Sequence, residues 1–84
     1  MNKVTEEHIK AKIRNVEYLH HGTKTFCILT LENGFTVTGE SDCVDPSNYD
    51  RKIGEQVAYG EAVDHVWPLE GYLLKELMYR EGRA

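Results

Sequence analysis

The chain has 84 residues, 40% of them apolar and 29% charged, which is the composition of one globular domain rather than of a disordered or fibrous segment. Ten Lys plus Arg against fourteen Asp plus Glu leave a net charge of -4; this argues against a surface that coats nucleic acid, because such surfaces work by releasing phosphate counterions to a basic face. No apolar run approaches the roughly 18 residues of a membrane span, and a chain this short hides only about 60 to 65% of its unfolded surface, so self-association would relieve a thin core.

Thr5 followed by Glu6 and Glu7 reads as a helix start, with a capping hydroxyl and acids at the positive end of the dipole, and predicts a short helix over about residues 6–11. From Ile13 to Leu19 the pattern alternates as a first strand, which His20, His21, Gly22 and Thr23 interrupt as a loop. Thr25–Leu31 and Phe35–Ser41 flank Asn33-Gly34, the strongest short hairpin signal. A two-residue turn puts Phe26, Ile28, Phe35 and Val37 on one face, with Cys27, Leu29, Leu31, Thr36 and Thr38 on the other. A bulged three-residue turn shifts this pairing. The middle strand is apolar on both sides, so helices are expected on one face and another subunit over part of the second.

Asp45-Pro46 opens the helical half. Tyr49, Ile53 and Val57 form an apolar stripe on a helix running to about Val66, beside a ridge of small residues, Gly54, Ala58 and Ala62, that admits either the last helix or a neighbouring subunit. Trp67-Pro68 ends that helix, since the residue before proline avoids the helical region. Pro68 then starts a second helix to about Arg80, with Leu69, Leu73 and Leu77 in one row, and the tail 81–84 frays. The whole is an α+β single domain over 1–84: a short N-terminal helix, a three-stranded antiparallel sheet over about 13–41, and a helical hairpin over about 46–66 and 68–80.

Cys27 and Cys43 stand alone, with no second ligand at metal spacing, and read as free thiols, Cys27 in the core. The start, Met-Asn-Lys-Val-Thr-Glu-Glu, has no apolar stretch behind its lysine, which predicts no secretory signal and a cytoplasmic protein. Ser41, Cys43 and His65 are the residue types of a nucleophile–base pair, but the bland reading is a strand end and a helix-surface histidine. His20 and His21, with His8 or His65, carry imidazoles without the spacing of a helical metal pair, so no metal or cofactor is expected. Trp67, Tyr72 and Tyr49 near helix ends, with Lys75, Arg51 and Lys52, would suit the base and phosphate of a nucleotide; the competing reading, favoured for any one aromatic, is core, with Trp67 stapling the helix corner and Tyr49 packed under it. Gly54, Ala58 and Ala62 on the helix, and Leu29 and Leu31 on the sheet, are the candidate subunit interface.

The run Leu29-Thr30-Leu31-Glu32-Asn33-Gly34-Phe35-Thr36-Val37-Thr38-Gly39-Glu40-Ser41, the segment Cys43-Val44-Asp45-Pro46, and Trp67-Pro68-Leu69-Glu70-Gly71-Tyr72-Leu73-Leu74-Lys75 resemble the small tailed-phage protein family named after gene 49 of phage N-four and gene 66 of phage Sf-six. The likeness covers nearly the whole chain. It implies a phage or prophage origin and a bacterial host cytoplasm, and it brings no catalytic residues with it. Two functions are then expected of a non-enzymatic phage accessory protein. One is an oligomeric binder that acts against the host, sequestering a nucleotide immune signal. The other is an interaction module that docks on a host or phage protein and alters its activity.

Overall fold

The computed structural model describes residues 3–82; of the tail expected to fray, Arg83 and Ala84 lie outside them. Helix α1 (Glu6–Lys12) begins where Thr5 Oγ1 accepts the His8 N–H at 3.1 Å, with Glu6 and Glu7 in its first turn and Ile9 fully buried. The chain passes directly into β1 (Ile13–His21), then β2 (Lys24–Leu31) and β3 (Thr36–Asp42), an antiparallel sheet in the order β1-β2-β3. His20 and His21 are the end of β1 rather than part of a loop, because the reversal needs only Gly22, at φ 59°, and Thr23.

The second reversal decides which face is buried. Leu31 N–H bonds Phe35 O at 2.8 Å and Gly34 N–H bonds Leu31 O at 2.9 Å, with Gly34 at φ 91°, so the turn has three residues, Glu32, Asn33 and Gly34. Leu29 therefore faces Val37 and Cys27 faces Gly39. Thr25, Cys27, Leu29, Leu31 and Val37 form the buried face, while Phe26 and Ile28 turn to the other side. The grouping of Val37 with Phe26 and Ile28, which holds for a two-residue turn, is replaced by the bulged alternative: one extra residue slips the pairing by one and moves every side chain of β3 to the opposite face.

Asp45 and Pro46 start only one 3₁₀ turn, Pro46–Asn48, in which Asp45 accepts the Ser47 N–H at 3.0 Å. Those bonds from the Ser47 backbone and hydroxyl hold the Asp45 carboxyl below its usual range. Tyr49 is extended, and Asp50 caps anew, accepting from Lys52 N–H and Ile53 N–H at 3.0 and 3.2 Å. The main helix, α2 (Arg51–Arg80), is continuous for 30 residues with Pro68 inside it. The helical hairpin is thus a single rod, about 45 Å long. Proline removes one hydrogen bond and crowds the preceding turn, but the buried row Ala58, Ala62, Val66 and Glu70 runs unbroken past Pro68, which sits on the solvent side. Burial on both sides of the proline outweighs the local penalty.

Gly39 is where helix meets sheet. A Cβ placed there would lie 2.3 Å from Ala58 O and 2.3 Å from Ala62 N, so the α2 backbone rests directly on β3. The neighbour admitted by the small-residue ridge is this strand. Ala58, Ala62, Leu29 and Leu31, with Ile9, Cys27, Val37 and Val66, are the chain's own core. Gly54 faces Thr25 and Ser41 of the sheet.

Candidate functional site

Two polar clusters hold the helices in place, one at each end of the sheet. At the start of α2, His20 Nε2 lies 2.8 Å from Glu55 Oε2, and its Nδ1 lies 3.3 Å from Thr25 Oγ1 and 3.4 Å from the Tyr49 hydroxyl. With the proton on Nε2 the ring donates to the carboxylate, and Nδ1, with its one lone pair, accepts from one of the two hydroxyls at a time. Arg51 adds a contact of 3.6 Å to Glu55. At the other end His8 Nε2 meets Glu70 Oε1 at 2.8 Å, and Glu70 is only 8% exposed. A carboxylate so buried requires a partner, and α1 supplies it.

The sequence pattern did not reveal either His–Glu pair. One signal was available: Glu70 continues the ridge Ala58, Ala62, Val66 at intervals of four, which places an acid on the buried face of the helix.

Ser41, Cys43 and His65 do not converge. Ser41 Oγ donates to Gly54 O at 2.7 Å, Cys43 Sγ to Asp45 O at 3.1 Å, and His65 Nδ1 to Thr38 O at 2.7 Å. Gly54 and His65 are eleven positions apart on α2, about 16 Å. Among the described residues no three His, Cys, Asp or Glu side chains gather as metal ligands. The aromatic and basic residues separate too: Tyr49 and Arg51 stand at the start of α2, whereas Trp67, Tyr72 and Lys75 lie on its distal half, with Tyr72 about 30 Å from Arg51 along the axis. Trp67 staples no corner, because the helix runs on through it; it is 37% exposed.

The described residues form, among others, two grooves of about 220 Å³ each. One, beside the end of β3, is lined by Ser41, Cys43, Tyr49, Ile53, Gly54 and Val57 among others. The other lies between α1 and the distal half of α2, where Val4, Leu73, Leu74 and Leu77 form an apolar floor with His8, Lys12 and Glu70 at its margin. Leu69 continues the row of Leu73 and Leu77 beyond the groove, and the three are 39%, 41% and 42% exposed.

Fold and surface together define a small α+β protein whose polar side chains fasten helix to sheet and whose grooves are apolar. No helix among the described residues is long and apolar enough to cross a membrane. Over residues 4–78 the chain matches the phage protein (N4 Gp49/phage Sf6 gene 66) family, and it belongs to that family. No curated protein and no solved structure matches it.

Proposed function

We propose that this phage protein is an accessory protein of the infected bacterial cytoplasm that works without chemistry of its own, by docking on a host or phage protein through the distal half of α2. The observation that carries this reading is the row Leu69, Leu73 and Leu77, partly exposed leucines at intervals of four, of which Leu73 and Leu77 line the groove under α1. Contiguous apolar surface of this kind marks interaction sites, and the occupant that fits is an amphipathic helix with apolar residues on one stripe. Nucleotide sequestration has less support, because the five candidate residues fall into two groups, Tyr49 with Arg51 and Trp67 with Tyr72 and Lys75, spread along α2, and of the five only Tyr49 lines either groove.

The test is affinity capture of the tagged chain from infected cells. A partner held at one-to-one ratio by the wild type, and lost by Leu73→Gln/Leu77→Gln with unchanged far-UV circular dichroism, supports docking. Retention of that partner by the variant overturns it. So does an adduct in the nucleotide mass range when the wild type is mixed with cyclic and linear nucleotides in native mass spectrometry.

A further inference from the structure

The two edges of the sheet are finished differently. Because Leu31 N–H bonds Phe35 O and antiparallel ladders alternate, the main-chain groups of Thr36, Thr38, Glu40 and Asp42 point away from β2. Helix α2 reaches over this edge: His65 Nδ1 donates to Thr38 O at 2.7 Å, and Glu61 Oε1 accepts the Glu40 N–H at 3.3 Å. Along β1 the same alternation directs the N–H and C=O of Val16, Tyr18 and His20 outward. Among the described residues no hydrogen bond meets them.

The cover over β1 thins as well: Tyr18 and His20 are half-buried, but the strand is open at Val16. A helix about 10 Å wide spans two strands spaced about 4.8 Å apart, and α2 lies over β3 and β2. Leu29 is fully buried, while Val16, its partner in β1 on the same face, is 38% exposed.

We propose that β1 pairs with β1 of a second copy, antiparallel about a two-fold axis, making one six-stranded sheet. The register follows from the strand itself. A bulge between Ile13 and Asn15 ends the regular edge, so the usable run is Asn15 to His21, whose centre is Tyr18. Centring there sets Tyr18 against Tyr18 of the second copy, Val16 against its His20 and Glu17 against its Leu19. Centring on Glu17 would oppose two like charges, which is destabilising; centring on Leu19 would leave only five strand residues paired. The length and the charge pattern of the edge therefore suit a second copy of this chain. The pairing is independent of docking through α2.

Two measurements test it, both with Cys43→Ser to remove the accessible thiol. Glu17→Cys and Leu19→Cys chains, mixed and air-oxidised, give an interchain disulfide, while each chain alone gives at least tenfold less, because like positions sit on the diagonal about 7 to 8 Å apart, beyond easy disulfide reach. Light scattering on a sizing column gives twice the chain mass for the wild type and for Val16→Thr, and a single chain mass for Val16→Pro, which removes only an outward N–H and keeps its circular dichroism. A wild type that stays monomeric at all concentrations overturns the proposal. A dimer indifferent to Val16→Pro, with no mixed disulfide, also overturns it and places the contact elsewhere.

Discussion

Replacing Gly39 by alanine adds one methyl group at the closest approach between α2 and the sheet. Its Cβ would lie 2.3 Å from Ala58 O, 2.3 Å from Ala62 N and 2.9 Å from Ala62 Cα, all backbone atoms that no rotamer change can move. Ordinary contact needs about 1 Å more, so the helix must lift from β3 or β3 must buckle, and a gap of about 0.5 to 1 Å forfeits a quarter to a half of each dispersion contact across the interface. Overpacking of this kind costs about 1 to 3 kcal/mol, and more where backbone opposes backbone; a chain this small holds about 3 to 5 kcal/mol in total. We expect Gly39→Ala to lose about 3 kcal/mol and to be largely unfolded at 37 °C. Gly60→Ala is the control: a Cβ there meets nothing within 4 Å, and replacing glycine inside a helix stabilises by about 1 kcal/mol. Urea unfolding followed by circular dichroism measures both. If Gly39→Ala unfolds within about 0.5 kcal/mol of wild type, below the smallest overpacking cost, the helix is not seated on β3 and the reasoning is refuted.

Pro68→Ala restores a helix hydrogen bond at an exposed position of a continuous helix, so it should stabilise by about 1 to 3 kcal/mol; a fall in melting temperature would mean that the proline shapes the chain. His8→Ala leaves the buried Glu70 carboxylate without its 2.8 Å partner and should cost about 1 to 3 kcal/mol, with much of that recovered in His8→Ala/Glu70→Leu; additive losses in the double-mutant cycle would show the pair uncoupled. Burial pushes the Cys27 thiol up, partly offset by its hydrogen bond with Tyr18, and burial also raises Tyr18. The folded state thus holds these protons more tightly than the unfolded one. That stabilisation is full below the ordinary thiol value of about 8.5 and is lost as pH rises through the raised values, so urea midpoints should fall in alkaline solution. An aromatic disulfide reagent should titrate Cys43 at once and Cys27 only after denaturation; two fast equivalents would contradict the burial.

Much of this architecture was legible because it is written in local chemistry. The Thr5 cap, the hairpin at Asn33-Gly34 and the buried Cys27 all depend on residues within one turn of each other or on simple alternation. What escaped depended on a balance between local and distant terms. Asn33-Gly34 suits two- and three-residue turns alike, and the choice was made by Gly34 alone taking positive φ, which fixed the face of Val37. Trp67-Pro68 carries a local stop signal, overridden by Val66 and Glu70 burying on both sides of it. The small-residue ridge was visible, but its partner, Gly39, is a single missing side chain some twenty residues away. The residues suited to a nucleotide are alike in chemistry, but the continuous helix spreads them along its length.

The uninterrupted rod of α2 also divides the molecule dynamically. The molecule's longest extent is 56 Å and its radius of gyration 15.7 Å, against about 12 Å for a compact chain of this length. The first half of the helix is clamped on β2 and β3 and can open only when the whole domain does. The last turns are steadied chiefly by the short α1, through Ile9 and the His8–Glu70 contact, and belong to the low-stability end of the range along which native structures open locally. Amide protons near Tyr79 therefore exchange long before those near Ala62. The tip can melt and re-form on its own while the sheet behind it stays intact.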